Sequence, residues 1–415
     1  MGLTQTRAAD NGISWGGILL FLIGVLLATS ADDDLRIYIG PLRMHACLIP
    51  LAIVGPLLFL SRLHSFPWKI LVALAAFALF FSLSSIGSNW GIIAKLLASE
   101  FTLVSSALLI RTRADILAGA LGMCLSTALL GLVGLLSVVD AEVGVLAFGT
   151  NKNVYSLFAL PALVLAGNAI VRPGNIALRI LFSFCAAAIV TTIVLSANRS
   201  GWLGVAVIAL LLCGTERLRG SVVVVTLGLA ITYFVINYAD TTVYSSKLQQ
   251  IAEGKTADQL RLQVLTACIQ IGIDYPIAGV SPDALPFAIG RHLGVENTHG
   301  PVSAHNIVGF LIGGCGLVCF TAFVILGITL WNVHPSAEQC DTEDVDFRAA
   351  RRILRMMIVV WIVRGLFTEE ILYNPSFCMA LGMSLGACLI REKTSAKALL
   401  PVTNIPVYDA QPLPT

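Results

Sequence analysis

The chain is a succession of apolar runs, each about as long as a bilayer is thick. They fall at 13–30, 44–60, 70–86, 91–110, 115–139, 154–171, 178–196, 201–214, 220–237, 306–331, 353–370 and 376–390. A helix rising about 1.5 Å per residue needs roughly 20 residues to cross a hydrocarbon core ~30 Å thick. With no water to satisfy the backbone in lipid, such runs must be helices, because barrel strands would alternate apolar with polar residues. Charged residues make up only 12% of the chain, against roughly 25% in a soluble domain. The expected fold is therefore an all-α polytopic membrane protein of about twelve transmembrane helices. Residues 1–237 should hold the first nine helices, 238–305 one large extracytoplasmic loop, 306–391 the last three, and 392–415 a cytoplasmic tail.

The basic residues predict the orientation. Arg62, Lys69, Arg111, Arg113, Arg172, Arg179, Arg217, Arg219, Arg348, Arg351, Arg352 and Arg355 crowd alternate connections, and Arg7, Arg391, Lys393 and Lys397 lie at the two ends. The connections between carry fewer cations, namely Arg36, Arg43, Lys152, Arg199, Lys247, Lys255, Arg261 and Arg291. The positive-inside rule then places both termini in the cytoplasm and the 238–305 loop outside. Segment 1–30 also has small residues suited to signal cleavage at Ala28-Thr29-Ser30. With Arg7 the one cation ahead of its apolar run, it is read as an uncleaved first span. The net charge of +2 carries no further message, and no basic patch points to a nucleic-acid partner. Cysteines fall mostly inside the runs, as small apolar residues do, without zinc spacing or a disulfide framework.

Two places hold unusual polar residues. The long loop carries His292, His299 and His305, and a loop of that length should contain structure of its own. Thr256-Ala257-Asp258-Gln259 fits a capping box, the apolar residues that follow suit one helical face, and Pro276 stops it, which predicts an amphipathic helix near 257–275. Arg261 would sit in its first turns, as a solvated cation or as an anion ligand. The second place is the turn Ser196–Trp202. Residues 178–214 are too few for two full crossings of about 20 residues each plus a turn, so the turn should be drawn into the membrane. Arg199 there either snorkels to lipid headgroups or serves a site.

Asn198-Arg199-Ser200-Gly201-Trp202-Leu203-Gly204, Asp274-Tyr275-Pro276-Ile277-Ala278-Gly279-Val280, and Ala304-His305-Asn306-Ile307 leading to Gly313-Gly314-Cys315-Gly316-Leu317 occur in this order. Together they resemble the signature segments of the O-antigen ligase and polymerase superfamily over roughly 150–330. Two positions depart from the pattern: Ser281 replaces a glycine, and Gly313 stands where an acidic residue is usual. The resemblance implies an architecture like that of the large membrane glycosyltransferases, with a periplasmic active site in the bacterial inner membrane. It implies transfer of a glycan from undecaprenyl pyrophosphate to a sugar hydroxyl of the lipid A–core, without a metal ion.

The residues suit that chemistry. Negative charge builds on a departing pyrophosphate, and a guanidinium contact to phosphate is worth about 1.5–3 kcal/mol. Arg199, Arg261 and Arg291 are the candidate cations, with Lys95, His299, Asn198 and Ser200 as further donor contacts. The attacking hydroxyl needs a base, and His305 is the candidate, with helix capping as its alternative role. Asp32-Asp33-Asp34 reads as a solvated acidic loop rather than a metal site. Arg364 with Glu369 or Glu370 reads as a structural pair beneath the site. An O-antigen polymerase or a protein O-oligosaccharyltransferase would use the same donor. A transporter or flippase is the alternative of another class, against which stands the lack of an internal repeat and of paired broken spans.

Overall fold

The computed structural model describes residues 12–27, 36–39, 42–45, 49–86, 90–136, 152–171, 175–196, 198–213, 257–294, 302–333 and 345–398. Its helices are α1 (Trp15–Leu26), α2 (Ile49–Arg62), α3 (Trp68–Ser84), α4 (Trp90–Leu109), α5 (Arg113–Leu136), α6 (Lys152–Val171), α7 (Ile176–Leu195) and α8 (Arg199–Cys213). They continue with α9 (Ala257–Asp274), α10 (Leu285–His292), α11 (Ile307–Trp331), α12 (Val345–Gly365) and α13 (Pro375–Ala398). A short antiparallel hairpin, Arg36–Ile39 with Leu42–His45, joins α1 to α2. Five helices, α4, α5, α6, α7 and α11, are long and apolar enough to cross a membrane, and shorter apolar stretches lie in α1, α2, α3, α8 and α13. The run at 220–237 lies outside the described residues.

Side-chain contacts fix which helix ends lie together. At one end, Asp115 is fully buried and its carboxylate accepts from the amides of Ser14 (2.8 Å), Arg111 (2.9 Å) and Thr112 (2.8 Å). This caps the start of α5 with a charge that suits the helix dipole. The Arg62 guanidinium donates to the Leu108 carbonyl at 3.1 Å, so α2 and α4 end beside it. Helices α6 and α8 run parallel, since Gly204 lies against Leu160 and Gly167 against Leu212. Helix α12 runs antiparallel to α6, because Arg364 reaches Asn153 and Met356 reaches Asn168. Gly365 touches Ile307, and Phe81 and Phe77 meet Phe310 and Phe323, so α11 starts where α12 and α3 end.

The result is an upper end holding the starts of α4, α6, α8, α11 and α13 and the ends of α3, α7 and α12. Exposed Trp90 sits at this end and exposed Trp15 and Trp68 at the other, where amphipathic rings settle at a membrane interface. The described arginines of the alternate connections (Arg62, Arg111, Arg113, Arg179, Arg348, Arg351, Arg352 and Arg355) and Arg391 lie toward the lower end. Between helices, glycines bring backbones together, as lipid-embedded packing requires: Gly24 meets the Met123 amide and Gly386 the Ala107 carbonyl.

Helix α11 is not one regular helix. Phe310–Cys315 winds as π-helix, and Gly316 breaks the run at φ +80° before the helix resumes. The segment 276–281 fills the break. The Val280 and Ser281 amides donate to the Gly313 and Gly314 carbonyls (3.0 and 2.9 Å), and the Leu317 amide donates to the Pro276 carbonyl (2.8 Å). Helix α9 runs beside the π-turn, with Cys268 against Gly309 and Gly313, and Gly272 against Ile312. Ser281 has φ +78°, so it occupies a backbone conformation that suits the glycine it replaces.

This clasp predicts a measurable asymmetry between two glycines of one helix. A Cβ at Gly316 would strike the Ile277 carbonyl, and the left-handed backbone adds about 1–2 kcal/mol for a non-glycine residue. Gly327 has open space around it. Gly316→Ala should lower the melting temperature of the detergent-solubilised protein by several degrees, and Gly327→Ala should leave it unchanged. Equal melting temperatures for the two would show that the break is loosely packed.

Candidate active site

The turn between α7 and α8 is built from its own polar atoms. Asn198 is 3% exposed, and its carboxamide oxygen accepts from the Ser200 hydroxyl (2.8 Å) and the Gly201 amide (3.1 Å). Its carbonyl accepts from the Trp202 amide (3.0 Å), and the Trp202 indole donates to the Ile193 carbonyl (3.2 Å). Asn198 and Ser200 therefore act as the helix cap that sets the first residue of α8. That residue is Arg199. Gly204 packs against Leu160, so five residues earlier the Arg199 backbone lies about 7–8 Å higher, level with Ser156 and Asn153 at the start of α6.

The same level holds Arg364, 1% exposed and the last cation of α12. Its Nε donates to the Ser156 hydroxyl (3.1 Å) and a terminal nitrogen donates to the Asn153 carbonyl (3.0 Å). The sequence suggests a pair with Glu369 or Glu370, whereas these two hydrogen bonds tie Arg364 to α6. Glu370 acts on Arg364 through its charge, and Arg261 does so with the opposite sign. Glu370 in turn lies within electrostatic reach of Lys95 and His305. Lys95, Arg261, His305, Arg364 and Glu370 thus share one neighbourhood at the upper end, drawn from α4, α9, the strap before α11, α12 and the turn after it. Farther down α4, Glu100 faces an apolar cavity of about 30 Å³ lined by Leu74, Phe77 and Trp361.

His305 lies on the strap 302–306 and is exposed. Its φ of +52° is a left-handed conformation that costs a non-glycine residue about 1–2 kcal/mol. Several contacts hold it. Asn306 caps α11 by accepting from the Gly309 amide, and its own amide donates to the Ala304 carbonyl at 2.9 Å. The Val302 amide donates to the Pro286 carbonyl at 3.2 Å. The Ser303 hydroxyl donates to Glu369 Oε1 at 2.6 Å, a short charge-assisted bond. Glu369 Oε2 is buried and has no hydrogen-bond partner among the described residues. Strain held by surrounding contacts is a common mark of a working site.

Lys95 and His305 thus lie within electrostatic reach of Glu370 and Arg261 within reach of Arg364, and the Arg199 backbone lies at the same end. Arg261 is exposed in the second turn of α9, at the level of the strap because Cys268 seven residues later meets Gly309. Arg291 is exposed in the last turn of α10 beside His292. His299, Asp32, Asp33, Asp34 and the capping residue Thr256 lie outside the described residues. Glu369 as a holder of the strap, and Arg364 as a link between α12 and α6, are roles the sequence did not disclose. The only signal was a charged cluster ending an apolar run.

Such an arrangement can offer several cations to a diphosphate and an imidazole to a hydroxyl at the same end of the bundle. No curated protein matches the chain. Residues 184–324, from the middle of α7 to most of α11, match the family model described as O-antigen ligase. The matched segment contains Arg199, Arg261, Arg291 and His305, while Lys95, Arg364 and Glu369 lie outside it. The match covers about a third of the chain and supports its membership of the O-antigen ligase/polymerase superfamily.

Proposed function

We propose that the protein is an O-antigen ligase of the bacterial inner membrane, with its upper end facing the periplasm. The donor is a glycan on undecaprenyl pyrophosphate and the acceptor a sugar hydroxyl of the lipid A–core. The observation that carries this reading is the gathering of Lys95, Arg261, Arg364 and His305 at the end where Arg199 begins α8. His305 takes the proton of the acceptor hydroxyl, and that oxygen forms a bond to the anomeric carbon of the donor. The bond from that carbon to the pyrophosphate oxygen breaks, and the undecaprenyl pyrophosphate leaves with the electron pair. Arg199, Arg261 and Lys95 bind the leaving phosphates, with Arg291 and His299 as outer contacts. Asn198 and Ser200 serve the donor by fixing the Arg199 backbone. Fixed cations cost no reorganisation as the charge develops, which is where preorganised sites gain most.

Deleting the gene and resolving lipopolysaccharide on a gel tests the assignment. A ligase leaves core without any ladder, and lipid-linked polymer accumulates. Core bearing one repeat unit would make the protein a polymerase instead, and an unchanged ladder would overturn both.

The reading assigns Glu369 a positioning role, because its carboxylate ties the His305 strap to the turn that carries Glu370. Ser303→Ala and Glu369→Ala should each lower kcat about tenfold, near one lost charge-assisted hydrogen bond, with donor KM little changed. Glu369→Gln keeps an acceptor for Ser303 and should recover much of the loss. The double Ala variant should be no worse than the poorer single variant. Additive losses, or a KM effect with kcat intact, would rule the positioning role out.

A further inference from the structure

We infer that α9 and the turn after it form a re-entrant hairpin that sinks into the upper leaflet, with one face of α9 against acyl chains. The inference rests on the register of α9 against α11, independently of the reaction proposed above. Helix α11, 25 residues, is long and apolar enough to cross a membrane, and at its lower end the Arg355 guanidinium lies over the Trp331 ring at 4.9 Å. Trp and Arg at such a place belong to the interface. From Trp331 up to Gly316 the helix climbs about 22 Å. In a hydrocarbon core of ~30 Å, Gly316 therefore lies roughly 8 Å below the upper boundary. Gly316 touches Ile277, so the turn after α9 lies at that depth, and Gly272, which touches Ile312 about one helical turn higher, lies just below the boundary.

The surface of α9 matches this depth. At 3.6 residues per turn it carries three stripes. Val264, Ala267, Cys268 and Ile271 are buried against the bundle. Leu262, Ile269 and Ile273 form an exposed apolar stripe that Ile277 continues, with Ile273 60% and Ile277 76% exposed. Gln263, Gln270 and Asp274 form an exposed polar stripe, in which the Gln270 amide donates to Asp274 at 3.3 Å. Irregular backbone survives at membrane depth only where its polar groups are satisfied by protein. Much of the segment meets that condition, since the amides of Gly279, Val280, Ser281 and Leu285 all donate to protein carbonyls. Leu317 and Val318, the next exposed apolar residues on α11, extend the same surface. Lipid thus covers the lower part of the apolar stripe, at Ile273 and Ile277, and water reaches the polar one, so the hairpin forms a wall between the bilayer and water.

The test uses nitroxide labels on Gln263→Cys, Gln270→Cys, Ile273→Cys and Ile277→Cys in phosphatidylethanolamine/phosphatidylglycerol vesicles. Cysteines described in the structure are buried, so labelling goes to the added thiol and the signal of the unsubstituted protein is subtracted. Labels at 273 and 277 should relax faster with oxygen than with a water-soluble nickel chelate, and labels at 263 and 270 the reverse. Equal access of the chelate to all four positions would place the helix above the membrane. Protection of 273 and 277 from both reagents would mean that another segment of the chain, or a second copy, covers the stripe. Either result overturns the proposal, and neither depends on glycan transfer.

Discussion

Replacing Arg199 by alanine should lower glycan transfer by about 10²-fold while the protein still reaches the membrane. The reason lies in where the turn puts the residue. Asn198 and Ser200 satisfy the start of α8 among themselves, so the cap does not require the Arg199 side chain. A lost guanidinium contact to a phosphate costs about 1.5–3 kcal/mol, and each 1.4 kcal/mol is tenfold. The free amides at the start of α8 add to the attraction for an anion but cannot replace a full charge. Arg199→Lys should recover little, because an ammonium is a point charge and lacks the planar fork that grips two phosphate oxygens. Asn198→Ala should be milder in chemistry but worse in stability, costing about 1 kcal/mol for the cap. Transfer by Arg199→Ala at the wild-type rate would return Arg199 to a headgroup-snorkelling role and shift the phosphate site to Lys95 and Arg261.

The parts of the fold that were legible in sequence are those set by local rules. Long apolar runs announce helices such as α4, α5 and α7, whose limits lie within a few residues of the runs. The π-turn and break of α11 were not legible. Gly313-Gly314-Cys315-Gly316 sits in an unbroken apolar stretch, and only the partners reveal why Gly313, against the Cys268 carbonyl, and Gly316, against the Ile277 carbonyl, carry no side chain. The depth of α9 was hidden for the same reason: amphipathicity gives a helix two faces but not the partner that fixes its height. Arg364 shows the limit for charges. Sequence distance suggests the nearby Glu369 or Glu370, whereas its hydrogen bonds reach α6, some two hundred residues away. The turn at Asn198 was readable because its capping is local.

The site also explains why its cations come from so many elements. Like charges repel, so several cannot be held on one helix face without cost. Here Lys95, Arg261 and Arg364 come from α4, α9 and α12, and Glu370 offsets part of their repulsion while no substrate is bound. An arriving diphosphate would take over that role, and Glu370→Gln should therefore loosen the empty site more than the loaded one.

His305 carries the largest expected effect of any single side chain. Its Ala variant should lose at least about 10²-fold in turnover, the low end for a missing general base, with donor binding largely retained. The backbone makes the choice of controls important. At φ +52° His305 sits where asparagine is also tolerated, so His305→Asn keeps the strap in place and a hydrogen-bonding side chain while removing the proton acceptor. His305→Gln tests the same loss with a longer amide. If the residue only caps or shapes the strap, Asn should restore most of the activity, because Asn306 already caps α11 and Ser303 still holds Glu369. If it is the base, Asn, Gln and Ala should be nearly equally poor, and melting temperatures should separate none of them from the wild type. Donor affinity and turnover at saturation, measured on the same His305→Ala preparation, decide between the chemical roles. Retained affinity with collapsed turnover identifies a base, whereas lost affinity with surviving turnover would make His305 a phosphate ligand and move proton removal to another group.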